Sequence, residues 1–326
     1  MKRVKKICAV ALPIVALATA PVFAEVKTRD KSQFKLEGML GRVVNFIGGK
    51  AAKEGVVGTS AVKGNRKVTM NEATGQIIDL SEEKVYDLDV KKKTYTVTTF
   101  EELRRRMREE EEKAKKEVDK EQPAERPQEK PAKELEMDFD VKETGQKKQI
   151  AGYDTREAIV TVTVREKGKT LEEGGGMVMT SDTWLGPVIP EMKELTDFDL
   201  RYAKQLAGPE AVAQMQQLAA ALAAFPMMKN AMGKMQQEGS KVQGTALDTT
   251  TVFESVKSKE QIAEMQQQQN SGSGGGIGGM LARKMAKKDE PKARSTIVTV
   301  HNEYLEVSKN VEASDLALPA DFKEKK

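Results

Sequence analysis

Apolar and polar residues alternate over residues 75–100, and this alternation predicts three short strands. The strands cover 77–80, 84–90 and 93–99, and short polar turns separate them. The second strand, for example, places tyrosine, leucine and valine on one side and two aspartates on the other. Alternation with period two in β-branched and aromatic residues, broken by charged turns, is typical of an antiparallel meander with one face in water.

Similar alternation predicts further strands on both sides of this meander. They are a first edge strand within 25–36, a hairpin of 56–63 and 66–70, a strand at 134–141 that turns at Thr144-Gly145, a long strand or a bent pair at 148–165 with a kink at Gly152, and strands at 177–184, 241–256 and 295–307. The total is about eight to eleven strands, nearly all antiparallel, because hairpin-length connections join them.

A charged helix is predicted directly after the meander. Thr99 and Glu102 have the spacing of a capping box, and the helix that they start extends to about residue 120. Its acidic and basic residues pair at i,i+4, and each such pair contributes roughly 0.2–0.5 kcal/mol. A proline-rich linker follows, which gives a segment at 101–133. The favoured interpretation is a solvated spacer, with a partner-binding helix as the alternative.

More helices are predicted late in the chain. An insertion at 188–237 carries apolar residues at helical spacing and is broken at Gly208-Pro209. A short helix follows Ser258, and residues 270–279 form a Gly-rich flexible linker. Near the start of the chain, residues 39–47 also have helical spacing. These strands and helices together predict an α+β protein.

The first 24 residues have the three parts of a secretory signal peptide. A basic start is followed by an apolar run at 7–17, and small residues end at Ala24, where we expect cleavage. A transmembrane reading is weaker because the run is short and contains Pro13. The single cysteine, Cys8, lies inside this peptide. We therefore expect a periplasmic or secreted protein without disulfides.

The basic charge of the chain comes from this peptide. The full sequence has 54 Lys and Arg against 50 Asp and Glu, and the peptide contains four of the basic residues and no acid. The remaining chain is neutral, so no global charge favours nucleic acid as a partner. Apolar residues make up 38% and charged residues 32% of the sequence, which indicates that part of the chain is solvated spacer.

The sequence lacks the common motifs of a serine hydrolase and of a zinc site. His301 is the only histidine, and its neighbours of the same strand parity, Thr299 and Glu303, place it on a polar face. A Ser-His-Asp triad would need this residue, and no Gly-x-Ser-x-Gly sequence accompanies it. Zinc would need clustered histidine or cysteine ligands. We therefore expect neither enzymatic activity nor a cofactor.

Carboxylates are abundant, but their spacing favours a solvated sheet face. Asp87 and Asp89 share one side of a strand, as do Glu136, Asp138 and Asp140. Calcium accepts such oxygen ligands, yet the spacing of an EF-hand loop is missing. A glycosidase-like pair of carboxylates is left open, without a particular pair. Residues 274–279 match G-x-G-x-x-G formally and lack the flanking strand that a dinucleotide site needs.

Methionine has an uneven distribution. Eleven of the sixteen methionines lie between Met177 and Met285. Methionine is flexible and polarisable, so it fills gaps in cores and also lines surfaces that accept varied apolar shapes. The second reading predicts a groove for a lipid or another apolar ligand. Its candidate lining is Met177, Met179, Trp184, Met215, Met227, Met228, Met232 and Met235. A short basic amphipathic stretch at 277–288 leaves peripheral membrane contact open.

Several short motifs resemble a known group of proteins. They are Ile77-Ile-Asp-Leu, Lys84-Val-Tyr-Asp-Leu-Asp, Lys93-Thr-Tyr-Thr-Val, Ile150-Ala-Gly-Tyr, Asp182-Thr-Trp-Leu-Gly-Pro and Leu318-Pro-Ala-Asp-Phe-Lys. Their rhythm is similar to that of exported bacterial proteins related to the periplasmic lipoprotein-carrier (LolA/LolB-like) superfamily. This resemblance implies a curved antiparallel half-barrel with helices packed on its concave side, where carriers of that group hold lipid chains. The charged helix and the insertion at 188–237 depart from that group.

The expected organisation is a signal peptide at 1–24, N-terminal strands at 25–100, the charged helix and linker at 101–133, and the remaining sheet at 134–326. The favoured function is an exported, non-enzymatic binding protein of the cell envelope that holds a lipid or another apolar ligand. The alternative is a structural module that binds an envelope protein through the charged helix. A carboxylate-based hydrolase is the third hypothesis.

Overall fold

The computed structural model describes residues 24–37, 54–120, 134–223, 233–271 and 293–325, and its strands form one sheet. The strands are β1 (Glu25–Leu36), β2 (Val56–Lys63), β3 (Arg66–Asn71), β4 (Thr74–Asp79), β5 (Lys84–Asp89), β6 (Thr94–Thr99), β7 (Leu135–Ile150), β8 (Tyr153–Glu166), β9 (Gly176–Gly186), β10 (Thr245–Val256), β11 (Arg294–Ser308) and β12 (Lys323–Glu324). Their order is β12-β6-β5-β4-β3-β2-β1-β11-β10-β9-β8-β7. The fold is α+β, and the sheet is curved, unclosed and antiparallel except where β12 joins β6.

The helices lie mainly between strands of the second half of the chain. They are α1 (Phe100–Lys120), α2 (Leu171–Gly174), α3 (Lys193–Ala223), α4 (Lys259–Ser271) and α5 (Ala313–Leu316), with a further helical segment at 233–238 and 3-10 turns at Pro190–Met192 and Gly239–Val242. Gly208 has φ 79° and ψ 171°, so α3 consists of two helices, 193–207 and 209–223. The break that the sequence predicted at Gly208-Pro209 is therefore confirmed.

The predicted meander forms, but the face predicted to be wet is exposed only in part, around Asp87. On one face Ile78 and Val85 are buried against Phe198 of α3. On the other face Ile77 and Leu88 are buried in a second cluster. Adjacent residues of one strand point to opposite faces, so burial of both Ile77 and Ile78 requires cover on both sides. The covering segments come from distant parts of the chain, which strand alternation does not reveal.

The C-terminal segment covers the second face of the meander. Leu316, Leu318 and Phe322 pack on the cluster that contains Ile77. The guanidinium Nε of Arg66 donates a hydrogen bond to the carbonyl oxygen of Leu316 over 2.8 Å. The chain then adds β12 beside β6. The end of the sequence is thus part of the core of the first half of the sheet.

The first part of α3 covers the opposite face. Phe198 is fully buried in a cluster that includes Val26 and Val62 of the two strands below it. The ring of Phe100, at the start of α1, lies 5.3 Å from the ring of Tyr202 at an angle of 59°. Burial of a large aromatic side chain contributes roughly 1.5–3 kcal/mol, so these contacts hold α3 on the sheet.

β1 lies in the middle of the sheet, and the prediction of an edge strand was wrong. It pairs with β2 on one side and with β11 on the other, both antiparallel. This double pairing joins the N-terminal strands and the later strands into a single sheet. The partner β11 lies more than 250 residues away in sequence, so no local sequence pattern predicts this pairing.

The hairpin of β7 and β8 turns later than predicted. β7 passes through Thr144-Gly145 with a shift of register between Glu143 and Lys147. The chain reverses at Ala151-Gly152, where φ is 49° and 82°. Two residues with positive φ are the geometry of a type I′ turn. The turn predicted at Thr144-Gly145 was therefore wrong, and the kink predicted at Gly152 within 148–165 is instead a hairpin turn between β7 and β8.

The charged helix begins where the sequence predicted. The hydroxyl oxygen of Thr99 accepts a hydrogen bond from the backbone N–H of Glu102 over 3.2 Å. The Glu102 carboxylate accepts from Arg105 and Arg106 on the next turn. Phe100 is fully buried, whereas Met107 is 51% exposed, so only the first turns of α1 dock on the fold. The linker predicted at 270–279 begins later than expected, because the helix α4 includes residues 270 and 271. The rest of that linker, the linker at 121–133 and the helix predicted at 39–47 lie outside the described residues.

Candidate functional site

The later strands carry one apolar row across six neighbouring strands. Strand register aligns Phe139 with Val162, Val162 with Met179, Met179 with Phe253, Phe253 with Val298 and Val298 with Leu36. All six side chains therefore point to the same side of the sheet, which we call the apolar face. Each of the six is only partly buried. The arrangement offers a continuous hydrophobic strip that the described residues leave partly open.

The apolar face is continuous with the side of the sheet that holds α3. In β1, Val26 packs in the cluster of Phe198, and Phe34 and Leu36 have the same parity farther along the strand. Phe34 is 52% exposed, and Met177 on β9 is 50% exposed. One face of the sheet is thus covered by a helix in its first half and presents exposed hydrophobic side chains in its second half. Exposed apolar surface of this kind often marks a binding site.

A cavity of about 510 Å³ lies where the apolar face meets α4. Its lining is Gly174, Gly176, Met177, Ser255, Val256, Lys257, Gln261, Glu264 and Met265. The volume falls in the range of about 300–1,000 Å³ that is usual for small-molecule sites. Gly176 has φ 153°, and a Cβ there would lie 2.2 Å from the carbonyl oxygen of Val164. The backbone can pass so close to β8 only with glycine at this position.

The polar groups of the cavity come from the end of β10 and the start of α4. The hydroxyl of Ser258 accepts a hydrogen bond from the N–H of Gln261 over 3.1 Å. The side-chain oxygen of Gln261 in turn accepts from the N–H of Ser258 over 2.9 Å. This reciprocal cap begins α4, and it confirms the helix predicted after Ser258. It also fixes Gln261 beside Lys257 and the two methionines of the cavity.

The structure brings together only part of the candidate groove. Met177 and Met179 both lie on the apolar face, and Met177 also lines the cavity. Trp184 lies on the opposite face of the same strand, where the ammonium of Lys148 is 4.0 Å from the centre of its ring. Met215 is 61% exposed on the second half of α3.

Of the four remaining candidate methionines of the groove, the structure describes one. Met235 is 51% exposed in the segment 233–238. Met227, Met228 and Met232 lie outside the described residues. The candidate list did not include Phe253 and Met265. Phe253 lies in an alternating strand, but its place in the apolar row can be recognised only once the pairing of β10 with β9 is known. Met265 lies one helical turn after Gln261, on the predicted helix that follows Ser258.

The opposite side of the later strands, the polar face, carries a cluster of carboxylates. The carboxylate of Asp248 lies 2.8 Å from the ammonium of Lys148 and 3.0 Å from Nε2 of His301. Glu157 is buried and accepts a hydrogen bond from the hydroxyl of Thr144. Burial raises the pKa of the Asp182 carboxyl, and the neighbouring charge of Glu157 raises it further. The raised pKa shows that the neighbouring acids on this face disfavour the charged form of Asp182.

The described residues contain no group of three or more His, Cys, Asp or Glu side chains placed to hold a metal ion. Within the same parts of the chain, no helix is both long enough and apolar enough to cross a membrane.

Comparison with known proteins gives no relative. No protein-family model, no curated protein and no solved structure matches this chain.

Proposed function

We propose that this chain is an exported, non-enzymatic binding protein of the cell envelope that holds a lipid or another apolar ligand against its sheet. The observation that carries the proposal is the row of six apolar side chains from Leu36 to Phe139, which the described residues cover only in part. In this proposal the sheet is a half-barrel, the apolar face is its concave side, and α3 packs on that side.

The physical reason is the free energy of exposed apolar surface. Each Å² of such surface that a ligand removes from water contributes about 25 cal/mol. An alkyl chain along Val162, Met179 and Phe253 would cover neighbouring side chains of three strands at once. Methionine adapts to chains of different shape, so Met177 and Met179 suit a ligand without fixed geometry.

The sequence supports the proposal that the protein is exported to the cell envelope. A signal peptide at 1–24 would export the chain, and an apolar ligand that crosses an aqueous envelope needs a protein surface to cover it. The resemblance to the lipoprotein-carrier superfamily is consistent with such a role. It rests on short motifs, including Leu318-Pro-Ala-Asp-Phe-Lys at the end of the chain.

The direct test is native mass spectrometry of residues 25–326, purified from a bacterial periplasm without detergent. We expect extra mass that organic solvent extracts as lipid. Replacing Met179 by Gln should remove most of this mass, because it places an amide in the middle of the apolar row. Met107→Gln is the matched control, since Met107 is 51% exposed on α1 and lies away from the row.

A bare mass that does not change when fatty acid or phospholipid is added would contradict the proposal. Equal retention of lipid by the Met179→Gln and Met107→Gln variants would contradict the assignment to the apolar face.

A second candidate function is a protein-interaction module that uses α1. From residue 108 to residue 116 the helix is exposed, and it is supported by pairs such as Lys115 with Glu111 over 2.6 Å. A helix that stands in water in this way is available to a partner. Deleting 108–131 should abolish cross-linking to an envelope protein in cells if α1 is the partner site, and should change nothing if the segment is a spacer.

A further inference from the structure

The cavity at the end of the apolar face contains a lysine without a counter-charge. Lys257 is partly buried in the cavity wall and has no ion-pair partner within the described parts of the chain. Neighbouring cations each have a carboxylate partner. These pairs are Lys259 with Glu172 over 2.9 Å, Lys169 with Glu166 over 2.6 Å, and Arg294 with Glu254 over 2.6 Å. Lys257 therefore stands out as a cation that is free to bind an anion.

Two more hydrogen-bond donors line the same cavity. The side-chain oxygen of Gln261 is already used by the N–H of Ser258, which leaves the amide NH₂ group for another acceptor. The hydroxyl of Ser255 lies in the wall of the cavity beside Lys257. Glu264 is the one acid of the lining, and its side chain is exposed, so it can extend into water. The polar part of the cavity thus favours an oxyanion.

The apolar part of the cavity is continuous with the apolar face. Met177 lines the cavity from β9 and Met265 lines it from α4. Met177 lies two residues before Met179 on the same side of the strand, so an alkyl chain that leaves the cavity reaches the apolar row directly. The cavity and the row together have an ionic end and a long hydrophobic side.

We infer that the cavity binds the terminal oxyanion of a single-chain amphiphile. The ammonium of Lys257 and the amide of Gln261 bind the oxyanion, Met177 and Met265 contact the first methylene groups, and the rest of the chain lies along the apolar face. The shared chemistry is one alkyl chain with one terminal carboxylate or phosphate. This inference rests on the proposed function and adds to it the class of ligand and its direction.

The test is isothermal titration calorimetry of the full chain with three ligands of equal chain length, each kept below its critical micelle concentration. The ligands are dodecanoate, dodecyl phosphate and dodecanol. We expect at least one of the two anions to bind about tenfold more tightly than dodecanol, because a charge-assisted hydrogen bond in a partly buried site is stronger than a neutral one. The anion that binds more tightly identifies the terminal group.

Lys257→Gln should lower the affinity for that anion about tenfold and leave dodecanol unchanged. Lys259→Gln is the matched control, because Lys259 lies two residues away and is paired with Glu172 outside the cavity lining. It should leave all three affinities unchanged. Unaltered thermal unfolding of both variants shows that any loss comes from the site.

The outcomes separate the two claims. If the wild-type chain binds none of the three ligands, the proposed function fails and this inference fails with it. If the wild-type chain and Lys257→Gln bind all three ligands equally, the apolar site stands and the assignment of Lys257 is overturned.

Discussion

Asp182 and Glu157 lie close together on the neighbouring strands β9 and β8, and the pKa of the Asp182 carboxyl is raised by burial and then by the charge of Glu157. Glu157 accepts a hydrogen bond from the hydroxyl of Thr144. Asp248 adds a third negative charge nearby, which the ammonium of Lys148 partly offsets over 2.8 Å. The raised pKa of Asp182 makes the stability of the fold depend on pH at this face.

Replacing Asp182 by Asn should stabilise the fold at neutral pH. The pKa of Asp182 is raised above 3.8, mainly by burial and then by Glu157, so the folded chain binds this proton more tightly than the unfolded chain. The stability that the proton contributes is lost as the pH rises through the folded pKa. We expect Asp182→Asn to raise the melting temperature by roughly 1–3 °C at pH 7, after allowance for solvent screening.

The measurement is thermal unfolding of both proteins from pH 3.5 to pH 8. The difference in melting temperature should shrink as the pH falls, because Asp182 is then protonated in both states of the wild-type chain. A difference that stays constant over this range would show that Asp182 is not the titrating group.

Phe198 should be the side chain that holds α3 on the sheet. It is fully buried against Val26 and Val62, so Phe198→Ala removes these contacts and leaves a cavity. Such changes cost about 3–5 kcal/mol. Leu200→Ala, on the same helix at a position that is 50% exposed, should cost less than about 0.5 kcal/mol. Urea unfolding gives both values, and equal effects would refute the packing of α3.

The C-terminal segment should protect the second face of the meander. Replacing both Leu318 and Phe322 by Ser removes apolar cover from the cluster around Ile77. We expect lower stability and increased binding of a hydrophobic fluorescent dye, because buried side chains become exposed. Lys323 is exposed, so Lys323→Ser serves as the control. Dye binding that is the same in the double variant and the control would show that the segment does not cover this face.

The hydroxyl of Thr99 should stabilise the start of α1. It accepts the hydrogen bond from the N–H of Glu102, so Thr99→Ala leaves that donor without its cap. The expected cost is about 1 kcal/mol, and Thr99→Ser should recover most of it. Urea unfolding measures both changes. A serine variant as unstable as the alanine variant would indicate that the methyl group, and not the cap, matters.

Local patterns predicted the elements well. The strands around Tyr86, the hairpin at Gly64-Asn65, the charged helix from Phe100 and the break at Gly208 all follow from side-chain period, turn residues and capping residues within a few positions. Each of these signals acts between neighbours in sequence. The polar position of His301 follows in the same way, and its ring lies on the polar face beside Asp248.

Apart from the turn predicted at Thr144-Gly145, which occurs at Ala151-Gly152, the errors concern partners that are distant in sequence. β1 was expected at an edge, and its pairing with β11 places it in the centre. The meander was expected to be wet on one whole face, but α3 covers the part of that face around Ile78 and Val85, and the C-terminal segment covers the other face. The candidate groove combined Met177 with Trp184, which β9 places on opposite faces.

The sequence by itself determined the local elements and the alternation that makes each strand two-sided, because these depend on backbone preferences and side-chain period. Only the tertiary structure decided which strands are neighbours, and therefore which apolar side chains form one row. The row from Leu36 to Phe139 combines residues of six strands, and the cavity at Lys257 needs the chain before β9 and the start of α4 to meet. Strand pairing over long distances in sequence depends on the free energy of the whole core, so short sequence motifs do not predict which strands pair.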